Sequence, residues 1–206
     1  MRPGRHLSEV LGALAEQDAA EISIADLLSA FGDRAFGAFM LVFAAPNLLP
    51  LPPGSSAVLG LPLIIVAAQL ALGLRVLWLP EFIRRRSLPR ETFRRLAGAV
   101  AAHLPRVERI LRPRLAALTG PVPDRLIGLA VFVLAVILFL PIPGGNVLPG
   151  LAITAFSLGL IERDGLAIAF AWLATVVSLA VVAAVIGVAV AAVKAFVQGV
   201  VAYLGL

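Results

Sequence analysis

The sequence predicts an all-α integral membrane protein, and its composition and the layout of its charges support that prediction. Of its 206 residues, 61% are hydrophobic and only 14% are charged, whereas ordinary soluble domains have roughly 25% charged residues. The mean hydropathy of +1.02 excludes a soluble globular protein, because one compact core cannot hide this much apolar surface. It also excludes a disordered chain.

We expect five segments along the chain. They are amphipathic interfacial helices over 1–33, a first hairpin of broken helices over 34–80, an arginine-rich connection over 81–124, a second broken hairpin over 125–165, and a C-terminal spanning region over 166–206. Within the first segment, a helix should begin after Ser23, because Asp26 three residues later completes a capping box. The acidic residues of this segment argue against a signal peptide.

Each hairpin is predicted from an uncharged run that is interrupted by proline and glycine. The interruptions are Pro50, Pro52 and Gly54 in the first run, and Pro141, Pro143 and Gly145 in the second. Proline removes a backbone donor and clashes with the preceding turn, so neither run can be one continuous helix. The pattern favours re-entrant hairpins that enter and leave from the same side, although inverted copies stay open as an alternative.

The two runs are copies of one another. Six residues recur in one register, beginning with Asp33-Arg34 and Asp124-Arg125, which are 91 positions apart. After the breaks the copies drift by a few residues. Helix breaks in corresponding places are typical of transporter sites, because a break in hydrocarbon leaves backbone groups that need partners. The alternative is that the prolines only turn two hairpins.

A pocket at the duplicated breaks is therefore the predicted substrate site. Its candidate residues are Arg34, Asn47, Pro50, Pro52, Gly54, Ser55, Gln69, Arg125, Pro141, Pro143, Gly145 and Asn146. Guanidinium groups bind phosphate through two hydrogen bonds, so the two arginines indicate an anionic ligand such as a lipid phosphate. Alternatively, the arginines pair with Asp33 and Asp124 or anchor helix ends, and Gln69 bonds to a neighbouring helix.

The remaining charges do not predict an enzyme. Glu162, Arg163 and Asp164 form a compact cluster, but a helix-ending turn is the simpler interpretation. The sequence has no cysteine, and its two histidines, His6 and His103, are far apart. We therefore expect no catalytic residue, no metal and no cofactor.

The arginine-rich connection carries most of the positive charge. Twelve of the 17 basic residues are arginines between Arg75 and Arg125, with four acids among them. Such a loop is predicted to be cytoplasmic and to contact anionic lipid headgroups rather than nucleic acid. Within it, residues 90–103 have the pattern of an amphipathic interfacial helix.

The C-terminal region is predicted to contain one long spanning helix, or two helices joined near Gly187. Small residues recur from Ala180 to Ala192, a pattern that suits close helix packing. That packing would occur either within the chain or in a homodimer.

Short motifs spread from Leu7 to Trp172 match a known family. They are Gly32-Asp33-Arg34, the stretch from Asn47 to Gly54, Gly60-Leu61-Pro62, Gln69 with Gly73, Trp78-Leu79-Pro80, Arg112-Pro113-Arg114, Pro141-Ile142-Pro143 and Glu162-Arg163-Asp164-Gly165. On these motifs the chain resembles the exopolysaccharide synthesis ExoD family of bacterial membrane proteins. The resemblance implies a role in extracellular polysaccharide production at the bacterial inner membrane, without supplying a mechanism.

Two functions fit these observations. The first is a transporter or carrier of an anionic, lipid-phosphate-type intermediate, bound at the helix breaks. The second is a non-catalytic membrane scaffold whose arginine-rich loop docks polysaccharide biosynthesis proteins. The first prediction places the important residues in the hairpins, and the second places them in the loop.

Overall fold

The computed structural model describes residues 21–48, 55–74, 76–81, 85, 87–89, 91, 111, 114–115, 118–140 and 146–204. The first predicted amphipathic helix, most of the arginine-rich connection and the predicted 90–103 helix lie outside the described residues. So do the break residues Pro50, Pro52, Gly54, Pro141, Pro143 and Gly145.

The described residues form six α-helices. They are α1 (Ile24–Phe31), α2 (Ala35–Ala44), α3 (Ser55–Ala71), α4 (Pro121–Phe139), α5 (Val147–Glu162) and α6 (Gly165–Leu204). Short 3₁₀ turns at Gly32–Arg34 and Ala45–Leu48 flank α2. We call α2 and α3 the first hairpin, and α4 and α5 the second.

One pair of three-residue strands was not predicted. β1 (Glu21–Ser23) pairs antiparallel with β2 (Ser87–Pro89), which ties the chain after the first hairpin back to the start of α1. Strands this short have no alternation of apolar and polar residues that a sequence pattern could show.

The predicted start of α1 is confirmed. The Asp26 amide donates to the Ser23 hydroxyl oxygen at 3.1 Å, and the Asp26 carboxylate accepts from the Ser23 amide at 3.0 Å. The hydrogen bond from the Ser23 hydroxyl, followed by the one from its amide, lowers the pKa of the exposed Asp26 carboxyl. Leu28 and Phe31 then pack against the core of the hairpins.

The two hairpins exchange arms. The first arm of each packs against the second arm of the other, so that α2 lies on α5 and α3 lies on α4. A methyl group added to Gly37 would lie 2.9 Å from the Ser157 carbonyl oxygen, and one added to Gly128 would lie 2.7 Å from the Leu70 carbonyl carbon. These two glycines are 91 positions apart, and each lets the first arm of its hairpin pack closely against the second arm of the other hairpin.

The buried residues of the first arms follow the same offset of 91 positions. The buried pairs are Phe36 with Ile127, Gly37 with Gly128, Met40 with Val131, and Ala44 with Ala135. The predicted repeat is thus visible in packing as well as in sequence.

In the second arms the offset is 90, so the drift after the breaks amounts to one residue. Gly60 abuts the end of α4 at Ala135 and Phe139, and Gly150 abuts the end of α2 at Ala44 and Asn47. The buried residues again correspond, as Leu63 with Ile153, Val66 with Phe156, and Ala67 with Ser157. One residue fewer separates the arms of the second hairpin.

The helix α6 is a single uninterrupted helix of 40 residues, about 60 Å long. Its first half packs on α5, where Phe156 and Trp172 meet edge to face with ring centroids 5.3 Å apart. Residues 183–198 are exposed, and a methyl group added to Gly187 would have no neighbour within 4 Å. Packing within the described part of the chain therefore does not cover the small-residue stretch.

Two helices are long and apolar enough to cross a membrane. They are Pro121–Phe139 and Gly165–Gln198. The other hairpin arms, Ala35–Leu48, Leu59–Ala71 and Val147–Glu162, are apolar but shorter, with 10–17 residues each.

Candidate functional site

The packing of the hairpins separates the predicted site residues into two groups. Because Gly37 near the start of α2 meets Ile161 near the end of α5, while Gly150 near the start of α5 meets Asn47, these helices are antiparallel. The chain therefore enters and leaves both hairpins at one end, which we call the charged end (Arg34, Asp124, Arg125, Arg163 and Asp164). The described residues next to the two breaks, Asn47 and Asn146, lie at the opposite end, which we call the connection end.

The two groups are about 20 Å apart, since thirteen helical residues separate Arg34 from Asn47. The structure therefore places Asn47 and Asn146 at one end and the two repeated arginines at the other. It does not place the arginines beside the asparagines, and a ligand held by both groups would have to be about as long as the hairpin.

Arg125 is held at the charged end by Gly73. The helix α3 finishes in a turn in which the Gly73 amide donates to the Leu70 carbonyl at 2.9 Å and the Leu74 amide donates to the Gln69 carbonyl at 3.1 Å. This cap needs a positive φ, and Gly73 has φ +78°. Its missing side chain is replaced by the Arg125 guanidinium, whose Cζ lies 2.8 Å from where a methyl group would be.

This position suits a cation, because the carboxyl end of a helix carries partial negative charge. In the part of the chain that the structure describes, no side chain accepts a hydrogen bond from Arg125. Arg34 differs, since it is half-buried and has an interaction partner. The two repeated arginines are therefore not equivalent in the fold.

The acids of the charged end are engaged elsewhere. Asp124 accepts from the Gly120 amide at 3.4 Å and interacts electrostatically with Arg163, so its described partners do not include Arg125. The side chain of Asp33 lies outside the described residues. The predicted helix-ending turn is present, but its left-handed residue is Arg163, with φ 52°, and not Gly165, which begins α6.

Asp164 joins that turn to the arginine-rich connection. It is 1% exposed, and both carboxylate oxygens lie 3.4 Å from Arg114 Nε. One of them also accepts from the Leu166 amide at 2.8 Å, which caps α6. Sequence reasoning did not pair Asp164 with Arg114, because fifty residues separate them and the motif containing Arg114 gives no indication of its partner.

The connection end holds two asparagines with unused acceptors. Asn47 is 3% exposed, and its Nδ2 donates to the carbonyl oxygens of Phe43 at 2.9 Å and Ala44 at 3.4 Å. Its Oδ1 is buried and accepts no hydrogen bond, and the same is true of Asn146 Oδ1. Asn146 precedes α5, yet its side chain does not cap that helix.

Two other predicted site residues are not seen at the connection end. Gln69 is buried, but it binds the backbone of Trp78, with Nε2 donating to the Trp78 carbonyl at 2.9 Å and Oε1 accepting from its amide at 2.8 Å. It therefore fastens the chain after α3 and does not line the connection end. Ser55 begins α3, and its side chain lies outside the described residues.

An apolar groove runs between α4 and α6, starting one residue beyond Arg125. It has a volume of about 180 Å³ and is lined by Leu126, Leu129, Ala130, Val133, Trp172 and Leu179, together with the methyl-bearing Thr175. Since residues four apart share a helix face, Arg125 lies one turn before Leu129 at the charged end of this groove.

Comparison with known proteins gives one family. The model for the family described as "Exopolysaccharide synthesis, ExoD" matches residues 7–184. Protein ExoD of Rhizobium meliloti (strain 1021) is 35% identical over 171 residues, which cover 80% of this chain and 71% of that protein.

An uncharacterised protein of Synechocystis sp. is 31% identical over 147 residues, covering 70% of this chain and 69% of its own length. No solved structure matches the chain significantly. The chain belongs to the ExoD family, and membership of that family implies involvement in exopolysaccharide synthesis.

Proposed function

We propose that this protein is a multi-pass membrane carrier for an anionic, lipid-phosphate-type intermediate of exopolysaccharide production. The observation that carries the proposal is Arg125, an exposed arginine whose guanidinium lies over Gly73 and which directly precedes Leu126 of the apolar groove. A lipid phosphate needs these two features together, a guanidinium for its headgroup and an apolar surface for its chain.

Exposed apolar side chains support a membrane location. On α4 they include Leu126, Leu129 and Phe139, and on α6 they continue from Leu173 to Val197. A soluble protein rarely exposes so large a continuous apolar patch, whereas lipid would cover it.

The length of α2 supports a re-entrant first hairpin. An apolar helix of 10–14 residues is too short to cross a hydrocarbon core of about 30 Å, and α2 with its 3₁₀ turn has that length. In this proposal both hairpins dip into the bilayer from the charged end. The charged end and the arginine-rich connection are then cytoplasmic.

The carrier needs no catalytic residue, because binding and release are its only steps. Arg125 would contact the phosphate, and the groove between α4 and α6 would hold the first part of the lipid chain. The scaffold alternative depends on the arginine-rich connection, most of which lies outside the described residues, so no described contact favours it.

Native mass spectrometry of the mildly solubilised protein tests the carrier. Wild type should retain a phosphate-bearing lipid, and Arg125→Ala should lose it by about tenfold or more, because charge-assisted hydrogen bonds to a guanidinium are lost. Arg85→Ala is the matched control, since Arg85 is exposed and pairs with Glu81 at 3.2 Å outside the hairpins.

Addition of a polyprenyl phosphate to delipidated protein should restore the complex in wild type and in Arg85→Ala only. Equal lipid retention by all three proteins would overturn the carrier and favour the scaffold.

A further inference from the structure

The chain that follows α3 exposes large apolar side chains although it is not helical. We call its described residues 72–74 and 76–79 the apolar segment. Its exposed residues are Leu72, Leu74, Val76 at 79% and Trp78 at 61%, whereas Leu77 and Leu79 are buried in the core of the hairpins. A surface segment in water presents polar side chains at its outer positions, so an apolar environment is expected to cover this one.

Gln69 fixes the apolar segment at one level of the bundle. It belongs to the last turn of α3, and its side chain bonds to both the carbonyl and the amide of Trp78, at 2.9 and 2.8 Å. The Trp78 backbone therefore lies about one helical turn from Gly73, toward the connection end. Because both of its backbone groups have partners, Trp78 meets the requirement for backbone in an apolar environment.

Charged groups on two sides bound the depth at which the segment can lie in a membrane. Glu81, three residues after Trp78, is exposed and pairs with the exposed Arg85 at 3.2 Å, and three residues reach at most about 11 Å. On the other side, the Arg125 guanidinium lies over Gly73. The segment therefore stays near the surface of a hydrocarbon layer that is about 30 Å thick.

The residue types of the segment and its neighbours match the surface of a bilayer. Tryptophan is enriched at headgroup depth, where its ring is covered by lipid and its N–H can still find a partner. In the sequence, Arg75 interrupts the segment and residues 84–86 are all arginine, and arginines at a membrane surface attract anionic lipids. A leaflet that contains anionic lipid offers acyl chains and negative headgroups together.

We infer that the apolar segment is an interfacial anchor, which inserts its exposed side chains into one leaflet and sets Arg125 at the depth of the lipid phosphates. The inference rests on the membrane location in the proposed function, and it does not need the carrier activity. With Trp78 at the boundary of headgroups and acyl chains, Gly73 and Arg125 lie about one turn nearer the headgroups. A lipid phosphate would then reach Arg125 sideways from the leaflet at the charged end.

Tryptophan fluorescence of the full chain in vesicles tests the anchor, because the chain has two tryptophans, Trp78 and Trp172. The vesicles contain phosphatidylcholine and phosphatidylglycerol, with bromine on the acyl chains either near the headgroup or near the chain end. In Trp172→Phe, which leaves Trp78, the shallow bromines should quench emission about twofold more than the deep ones. Iodide in the water should quench it weakly.

Trp78→Phe is the matched control, because it leaves Trp172, which lines the groove about 10 Å along α6 from Gly165. Relative to Trp78, its emission should respond more to the deep bromines. If Trp172→Phe does not fold, the difference between wild type and Trp78→Phe gives the same quantity.

A change at Val76 tests the segment without removing the probe. In the Trp172→Phe chain, Val76→Asp should lower quenching by the shallow bromines and raise quenching by iodide, because a carboxylate resists transfer out of water. Val76→Leu keeps the apolar character and should change neither.

Three results would each overturn the anchor. Quenching by iodide without quenching by bromine would place Trp78 in water, and quenching by neither would place it against a protein partner. Strongest quenching by the deep bromines would place it among the acyl chains. None of these decides the carrier, which is judged by retention of lipid phosphate. Shallow quenching of Trp78 together with equal lipid retention by Arg125→Ala would support the anchor and overturn the carrier alone.

Discussion

The two hairpins are alike where they pack and different where they are polar. Gly37 and Gly128 occupy equivalent places, and each lies against the second arm of the other hairpin. In contrast, Asn47 stands where the second hairpin has Leu138, and Gln69 stands where it has Gly159. The packing glycines therefore follow the repeat, whereas these polar side chains do not.

The difference at Gln69 and Gly159 shows that one position can serve a similar purpose by different means. Gln69 holds the following chain by two hydrogen bonds to Trp78. Gly159 leaves room for Ile168, so that α6 turns back onto α5. Each residue fixes the segment after its hairpin, in one case a loop and in the other a helix.

The largest loss of stability is expected when the second hairpin is given the buried asparagine of the first. Leu138→Asn buries an amide at a fully buried position without a ready partner, and it should lower stability by about 2–4 kcal/mol. Thermal unfolding of the detergent-solubilised protein measures this. The reverse change, Asn47→Leu, removes an unsatisfied oxygen together with the hydrogen bonds to the Phe43 and Ala44 carbonyls, so it should change stability by less than Leu138→Asn. A loss of stability in Asn47→Leu as large as in Leu138→Asn would contradict the asymmetry.

A smaller loss is expected where the hairpins are alike. Gly128→Ala places a methyl group against the backbone of Leu70 and Ala71, which cannot move as a side chain can, and it should cost about 1–3 kcal/mol. Gly37→Ala should behave similarly. The control is Gly187→Ala, in open space on α6, which should be neutral or slightly stabilising. The same thermal unfolding assay compares the three, and indistinguishable values would show that the close approach is not needed.

The smallest loss of stability is expected from breaking the hydrogen bonds between Gln69 and the Trp78 backbone, which follows α3. Gln69→Ala removes two hydrogen bonds to Trp78 and should cost about 1–2 kcal/mol. It should also speed hydrogen exchange at the Trp78 amide. Gln198→Ala, which changes an exposed glutamine on α6, should have no effect at Trp78. Unchanged exchange in Gln69→Ala would assign Gln69 some other role.

Features that depend on residues close together in the sequence, or on a repeated motif, could be predicted from the sequence. The capping box of Ser23 and Asp26 is local chemistry, and the offset of 91 in the first arms is marked by repeated glycine and proline. The offset of 90 in the second arms appears only in burial, because few identical residues mark it. The exchange of arms and the pairing of Arg114 with Asp164 depend on tertiary contacts, which no sequence pattern reports.

The candidate site shows the same division. A lone glutamine in an apolar run looks like a site residue, yet Gln69 is used nine residues away at Trp78. The contact between Arg125 and Gly73 was not predicted, because no local pattern pairs a helix-ending glycine with an arginine far along the chain.

The exchange of arms also indicates how such a chain could arise. Since the first arm of each hairpin fits the second arm of the other, a single hairpin carries both halves of the contact, which is the requirement for a two-fold homodimer. The present chain has the arrangement that duplication and fusion of such a hairpin would give. In a homodimer, any substitution appears twice. Fusion removes that restriction, and an asparagine can then replace one buried leucine while its counterpart keeps the core intact.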